Sequence, residues 1–264
     1  MEGLKTHRWN HIFRPDGKAV IFAMDHAGAF GMMTGLEQPG ELIRKVRAGG
    51  ADAILTTYGV STRFAKEIGD MGLILRVDGG TSHLAKERNP MQLVYDAYDA
   101  LRIGADAVGV MGQPGSQFER EMLPYLSELV GQCAEWNVPV MAEMLPAGFE
   151  NPAEMWTPEN IGHACRIGAE LGADFIKTNY TGDPESFGRI CSQVYVPIVV
   201  LGGGKSKDPH DLLTGIHESM QAGASGVAVG RNIYQYPAPD KITAAIVAIV
   251  HQGVNMDAAL KYLK

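Results

Sequence analysis

The chain has 264 residues, of which 45% are apolar and 20% charged, so it can bury a large core and intrinsic disorder is not expected. Its net charge of −7, without clustered lysines and arginines, argues against binding nucleic acid or anionic membranes, because both require a basic face. Three widely spaced cysteines, and an N-terminal stretch without an apolar run, predict a cytoplasmic protein.

A short pattern recurs along the chain and marks half of the predicted strands. Gly-Ala-Asp, or Gly-Ala-Ser in the last copy, is followed at once by a β-prone run. The alanines of the four copies lie 54, 68 and 51 residues apart. Each step has room for two strand–helix units, since one such unit takes about 30 residues. Four more apolar runs lie before or between the copies, at Ala19 to Met24, Leu73 to Val77, Val138 to Ala142 and Val196 to Leu201.

Helix signals occupy the gaps between these strands. Gly40 to Ala48 places charges around an apolar stripe, and three helices are predicted to begin at a capping residue followed by proline. These starts are Thr157-Pro158, Asp183-Pro184 and Asp208-Pro209. Eight strands alternating with helices predict an α/β fold, a closed (β/α)8 TIM barrel in a single domain spanning residues 1–264. An open doubly wound sheet is the alternative.

The most informative side chain at the end of a predicted strand is Lys177, which follows Phe175-Ile176. Barrels of this kind perform their chemistry at the C-terminal ends of the strands. A buried lysine is costly unless it is paired or used, and a desolvated neutral amine is the nucleophile that condenses with a carbonyl. Lys177 is therefore predicted to form a Schiff base. The alternative is a structural lysine paired with Asp25 or Glu143.

Two glycine-containing turns follow the last two predicted strands. In the run from Gly202 to Lys205, missing side chains let backbone N–H groups approach an anion, and the turn from Gly230 to Asn232 adds a guanidinium. Loops at these two positions form the recurrent phosphate site of such barrels. Tight turns with exposed cations are the alternative. The residues predicted to bind a substrate phosphate are Gly203, Gly204, Lys205, Gly230 and Arg231.

Three carboxylates, Asp25, Asp78 and Glu143, lie at the ends of predicted strands and form a set that can hold Mg2+. The eight histidines, however, show neither H-x-H nor H-E-x-x-H spacing. No metal and no cofactor is therefore predicted. Asp25 and Glu143 are instead predicted to act beside Lys177, as ion partners or as proton shuttles.

The motifs at these strand ends resemble those of a known family, the archaeal-type class I fructose-bisphosphate aldolases within the wider DeoC/LacD-like aldolase group. The group also includes the aminodideoxyheptulosonate synthases and a thiolase that acts on phosphorylated autoinducer-2. The resemblance runs from about Ala19 to Tyr234, in register with all eight predicted strands. The matching motifs are Met24-Asp25-His26, Phe175 to Tyr180, Gly202 to Lys205 and Val229 to Asn232.

The resemblance implies a set of roles for the matching residues. It implies a Schiff base at Lys177, proton handling by Asp25, and phosphate binding by the loops after the seventh and eighth strands. It also implies catalysis without a metal and a phosphorylated sugar as the small-molecule partner. A homo-oligomer, often a decamer, is the assembly that the resemblance implies.

One motif departs from the family pattern. The aldolases and heptulosonate synthases carry Tyr-Pro-Arg-Gly after the fifth strand, with the tyrosine as general acid/base, whereas this chain has Leu145-Pro146-Ala147-Gly148. Leu145 cannot move a proton, which argues against fructose bisphosphate as the substrate. Glu143, two residues earlier and on the same side of a regular strand, is predicted to take this role with a pKa raised by burial. The autoinducer-processing branch also lacks the tyrosine.

These observations predict a class I aldolase or transaldolase that cleaves or forms a C–C bond in a phosphorylated ketose. One alternative is a CoA-dependent thiolase, for which formation of acetyl-CoA would be diagnostic. Another is a phosphosugar isomerase that uses Asp25 and Glu143 without a covalent step. A non-catalytic sugar-phosphate sensor is the least favoured, because it has no need of a buried lysine.

Overall fold

Eight parallel strands form a closed barrel in the computed structural model, which describes residues 3–86, 89–148, 153–206 and 208–264. Within those ranges the strands follow one another around the barrel in chain order, and the last pairs with the first. The predicted (β/α)8 TIM barrel is therefore confirmed. The strands are β1 Ala19–Met24, β2 Ala53–Thr56, β3 Gly72–Arg76, β4 Ala107–Gly112, β5 Val140–Met144, β6 Phe175–Thr178, β7 Ile198–Leu201 and β8 Gly226–Val229.

Helices pack around the barrel, and three of them begin at the capping residues that the sequence predicts. Thr157, Asp183 and Asp208 each accept a hydrogen bond from a backbone N–H of the first helical turn, so the three predicted caps are confirmed. The helices are α1 Thr6–Trp9, α2 Ala27–Phe30, α3 Pro39–Ala48, α4 Tyr58–Arg63, α5 Ala65–Ile68, α6 Ala97–Arg102, α7 Glu119–Glu135, α8 Pro158–Glu170, α9 Pro184–Gln193, α10 Pro209–Gln221, α11 Arg231–Tyr234, α12 Pro239–Gln252 and α13 Met256–Ala259. None of them, across the described ranges, has the length and apolar character needed to cross a bilayer.

Some strand boundaries differ from the prediction, and local hydrogen bonding explains one of them. The fifth strand was predicted to begin at Val138 but begins at Val140. The N–H of Val138 still bonds to the carbonyl oxygen of Cys133, so this residue lies in the turn that closes the end of α7 rather than in the sheet. The strand then runs on to Met144, so Glu143 still pairs with both neighbouring strands, near the C-terminal end of the ladder.

The aspartates of the recurring Gly-Ala-Asp pattern hold the strands together at the N-terminal end of the barrel. Each carboxylate accepts a hydrogen bond from the first or second N–H of the strand that precedes it in the chain. The bonds join Asp52 to Val20 at 2.6 Å, Asp106 to Leu73 at 2.9 Å and Asp174 to Val140 at 2.8 Å. Buried backbone N–H groups must have hydrogen-bond acceptors. The aspartates of the repeat supply these acceptors at the starts of the strands.

The same three aspartates also fix the N-terminal segment across the bottom of the barrel. Each pairs with a basic side chain of that segment, in the pairs Lys5–Asp174, His11–Asp106 and Arg14–Asp52. The segment inserts Trp9 and Phe13, stacked 4.2 Å apart, against the edge of Phe175 in the barrel interior. The bottom of the barrel is therefore closed by an apolar plug, and the polar side chains that point inward lie at the opposite end.

Candidate active site

Lys177 lies at the C-terminal end of β6, with 4% of the residue exposed to solvent. Strand register places it directly beside Glu143 of β5, and its Nζ lies 2.8 Å from Glu143 Oε1. Phe175, two residues earlier on the same face, packs in the barrel interior. The predicted juxtaposition of Lys177 and Glu143 therefore exists, and it places a buried amine in contact with a buried carboxylate.

Arg76, at the end of β3, organises this site, although it was not among the predicted site residues. Its guanidinium lies among three carboxylates, and 8% of the residue is exposed. Nε donates to Asp25 Oδ2 at 2.8 Å, Nη1 donates to Asp78 Oδ1 at 3.2 Å, and Nη2 donates to Glu143 Oε2. A cation inside an apolar run, two residues after the inward-facing Ile74, was the signal that marked it.

Asp78 acts as the anchor of this guanidinium. Its Oδ2 accepts hydrogen bonds from the Met111 N–H at 2.8 Å and from the Tyr125 hydroxyl at 3.1 Å. Burial raises the pKa of Asp78 above its usual value, although Arg76 and these two donors oppose the shift. The three carboxylates that form a possible magnesium set in the sequence thus surround Arg76, and among the described residues no cluster of metal-ligating side chains is found.

The carboxylates nearest Lys177 are held in their ionised form. Burial by itself raises the pKa of Glu143, but Lys177 and Arg76 outweigh it, and the net pKa lies below the usual value. Burial opposes ionisation of Asp25 as well, yet Arg76, Lys177 and His26 bring its pKa well below the usual range. The expectation of a raised pKa at Glu143 is therefore wrong, because two cations contact the buried carboxylate.

The position of the family tyrosine is filled by a packed apolar side chain. Leu145 is buried and clusters with Met111 and Met122. Tyr180, the tyrosine nearest to Lys177 in sequence, does not replace it. Its hydroxyl donates to Glu218 of α10 at 3.1 Å, and its ring packs against a phenylalanine of α9, so it faces the helical layer.

The two glycine-containing turns are joined by Asn232, a residue of the predicted motif to which sequence analysis gave no role. Its Nδ2 donates to the carbonyl oxygens of Gly202 and Gly204, both at 2.8 Å. Its Oδ1 accepts from the N–H of Ser206, also at 2.8 Å. Asn232 thereby fixes the shape of the first turn from the beginning of the second, and this brings the two predicted phosphate-binding runs together.

The two turns combine a glycine with positive φ, a close backbone approach and two cations. Gly203 has a φ of 65°, a conformation that favours glycine, and a Cβ on Gly230 would lie 2.6 Å from the carbonyl oxygen of Ala23. Arg231 begins α11, and its buried Nε has no hydrogen-bond partner among the described residues. Lys205 lies over the ring of Tyr236, with Nζ 5.7 Å from the ring centre.

A closed (β/α)8 barrel with a buried lysine at the C-terminal ends of its strands is the framework of the Schiff-base aldolases. The chain belongs to the DeoC/LacD family of aldolases, whose sequence pattern matches residues 19–236. That match covers all eight strands and both glycine-containing turns. The predicted family and the predicted enzyme class, a class I aldolase, are confirmed.

Individual relatives are similar over nearly the whole chain. The 2-amino-3,7-dideoxy-D-threo-hept-6-ulosonate synthase of Halobacterium salinarum is 36% identical, over 97% of this chain and 95% of that protein. The 2-amino-4,5-dihydroxy-6-oxo-7-(phosphonooxy)heptanoate synthase of Streptomyces griseus is 30% identical, over 97% of this chain and 92% of that protein. An archaeal fructose-1,6-bisphosphate aldolase is 30% identical, with a TM-score of 0.85 over 94% of this chain and 99% of that chain. Its structure was solved with the catalytic lysine bound covalently to the carbinolamine intermediate.

Proposed function

We propose that the protein cleaves or forms a C–C bond in a phosphorylated ketose through an imine on Lys177. The observation that carries the proposal is the buried Lys177 amine, 2.8 Å from the Glu143 carboxylate at the C-terminal end of the barrel. An amine there can attack a ketone, and the ionised carboxylate stabilises the cationic iminium that follows. The proposed phosphate-binding residues are Gly203, Gly204, Lys205, Gly230 and Arg231.

Glu143 and Asp25 have distinct parts in this proposal. Glu143 relays the proton that the Lys177 ammonium must lose before it attacks the ketone, since it touches Nζ and is ionised, and it does not retain that proton because its pKa is lowered. One oxygen of Asp25 accepts a hydrogen bond from Arg76. Asp25 contributes to proton handling through the charged groups that it contacts. No metal and no cofactor takes part in the proposed reaction.

The chemistry in the relatives' names narrows the proposed substrate. The product of the Streptomyces griseus enzyme carries a 6-oxo group next to a 7-phosphonooxy group, and fructose 1,6-bisphosphate has a ketone next to its 1-phosphate. We therefore propose a ketone separated from a phosphate ester by a single carbon. Assembly into a homo-oligomer, a decamer by the family resemblance, stays a prediction. A cytoplasmic location stays a prediction as well.

Borohydride trapping tests the imine directly. With dihydroxyacetone phosphate present, sodium borohydride is expected to add the reduced ketose to a peptide that contains Lys177, as measured by mass spectrometry. Screening further phosphorylated ketoses and keto acids for such adducts ranks them as substrates. An adduct on Lys205 instead, or no adduct with any ketose, would contradict the proposal. Turnover without an adduct would favour the isomerase.

The phosphate site is tested by Arg231→Ala. Loss of one charge-assisted contact is expected to weaken binding of a phosphorylated ketose by about 1.5–3 kcal/mol, or roughly 10- to 150-fold. The effect should be much smaller for the same ketose without its phosphate, measured as KM or as the concentration that gives half-maximal trapping. Arg189→Ala, an exposed arginine of α9, is the matched control. Equal losses with both ligands would show that Arg231 does not bind phosphate.

A further inference from the structure

His26 follows Asp25 at the end of β1 and lies between the charged cluster and the phosphate-binding turns. Its Nδ1 lies 3.5 Å from Asp25 Oδ1, while Asp25 Oδ2 accepts from Arg76. The ring packs edge-on against Tyr234, with ring centres 5.8 Å apart. A Cβ on Gly230 would come within 2.8 Å of its Cε1, so the imidazole also borders the turn that precedes Arg231.

The other candidates for moving a proton at the reacting carbon are occupied elsewhere. Leu145 has no proton to give, and Tyr180 is bonded to a glutamate in the helical layer. Glu143 contacts Lys177 and Arg76 simultaneously, which stabilises its ionised form and makes it a poor proton donor near neutral pH. An aldolase nevertheless needs a group that both takes and returns a proton when the C–C bond breaks.

The geometry of His26 suits that task. Nδ1 is buried and has no hydrogen-bond partner among the described residues, and Asp25 Oδ1 is the carboxylate oxygen facing it. Hydrogen bonds of this kind are often long without substrate and shorten in the complex. When Nδ1–H points at the ionised Asp25, the tautomer is set and Nε2 keeps its lone pair. The side chain is 19% exposed, so the ring can be reached from solvent.

The charged neighbours of His26 shift its pKa in opposite directions. Burial lowers its pKa, Asp25 and Glu143 raise it, and Lys177 and Arg231 lower it again. The net pKa lies below 6.5, so the imidazole is neutral near pH 7 and can accept a proton. The remaining ring neighbour, Phe30, carries no charge. The imidazole therefore has the protonation state of a general base.

We propose that His26, oriented by Asp25, takes and returns the proton in the C–C bond step. It would do the work of the family tyrosine, whose position in this chain holds Leu145. This inference rests on the imine at Lys177 proposed above. In the cleavage direction Nε2 accepts the proton of the hydroxyl group on the carbon that leaves. The O–H pair becomes the carbonyl bond, and the broken C–C bond supplies the electron pair of the enamine, which neutralises the iminium. Protonated His26 then returns the proton to the enamine carbon.

Hydrogen exchange tests this step with dihydroxyacetone phosphate alone. In D2O, an imine at Lys177 allows the hydroxymethyl carbon to lose a proton and gain deuterium, which proton NMR measures. His26→Gln and His26→Asn are each expected to slow this exchange by roughly 100-fold, the effect of removing one positioned proton-transfer group. His26→Asn places an amide near the position of Nδ1, so it preserves the contact with Asp25 but offers no base.

Trapping at Lys177 separates this inference from the proposed function. Borohydride adducts with dihydroxyacetone phosphate should form in both His26 variants within about threefold of the unchanged protein, since imine formation depends on Lys177 and Glu143. In the unchanged protein the exchange rate should rise with pH through the pKa of His26, below 6.5, and this dependence should vanish in the variants. His163→Gln, an exposed histidine of α8, is the control.

Each outcome decides between the two claims. Exchange within threefold of the unchanged protein in both His26 variants, or an unaltered pH dependence, would overturn the role of His26 and leave the imine intact. Parallel loss of exchange and trapping would also overturn it, because His26 would then act in binding or imine formation. Absence of any Lys177 adduct in the unchanged protein would overturn the proposed function and, with it, this inference.

Discussion

Lys177→Met is expected to reduce turnover below detection while the barrel still folds. Methionine fills a similar volume but has no amine, so neither carbinolamine nor imine can form. Glu143 keeps its contact with Arg76 in this variant and is not left unpaired. Lys177→Arg should be equally inactive, because a guanidinium retains the charge but stays protonated and does not condense with a ketone. Steady-state turnover and borohydride trapping measure the loss, and circular dichroism monitors the fold.

Lys66→Met is the matched control for this prediction. Lys66 is exposed on α5, outside the strands that carry the site, and its substitution should leave both turnover and trapping unchanged. Measurable turnover in Lys177→Met together with an adduct on another lysine would contradict the assignment of Lys177. A loss of folding in Lys177→Met but not in Lys177→Arg would show that the charge at this position is needed for the barrel itself.

Arg76→Met is expected to destabilise the fold and to impair catalysis at the same time. Removing the guanidinium leaves Asp25, Asp78 and Glu143 without their shared partner inside the barrel. Breaking a buried ion pair on one side typically costs about 3–5 kcal/mol, because the remaining charge is uncompensated. Urea denaturation should show a loss of this size near neutral pH. Arg76→Lys keeps one charge but not the forked geometry, and should be intermediate.

The loss of stability should depend on pH in a defined direction. Asp25 and Glu143 have lowered pKa values in the fold, so their stabilisation is present above their ordinary values of 3.8 and 4.5 and is lost as pH falls through the lowered values. In Arg76→Met this stabilisation is reduced from the outset, and the gap to the unchanged protein should therefore narrow at acidic pH. Arg63→Met, an exposed arginine at the end of α4, is the control. A gap of constant size at every pH would show that Arg76 acts through packing alone.

The barrel was predictable from the sequence because its signals are local and repeated. Short apolar runs recur with room for one helix between neighbours, and each copy of Gly-Ala-Asp precedes a strand. A parallel strand buried on both faces must be apolar, and the helix after it needs a cap, so both leave marks within a few residues. The position of Lys177 at a strand end followed from the same pattern. The two glycine-containing turns followed from it as well.

The pairing of charges around Lys177 was decided only by the tertiary structure. Arg76 is 67 residues from Glu143 and 51 from Asp25 along the chain, and a sequence pattern does not show which of several inward-facing side chains meet. Strand register and the closure of the barrel determine those contacts, and the contacts determine the pKa values. Burial alone predicts a raised pKa at Glu143, whereas two neighbouring cations lower it. Long-range electrostatics inside the barrel therefore defined the protonation states that the sequence pattern left open.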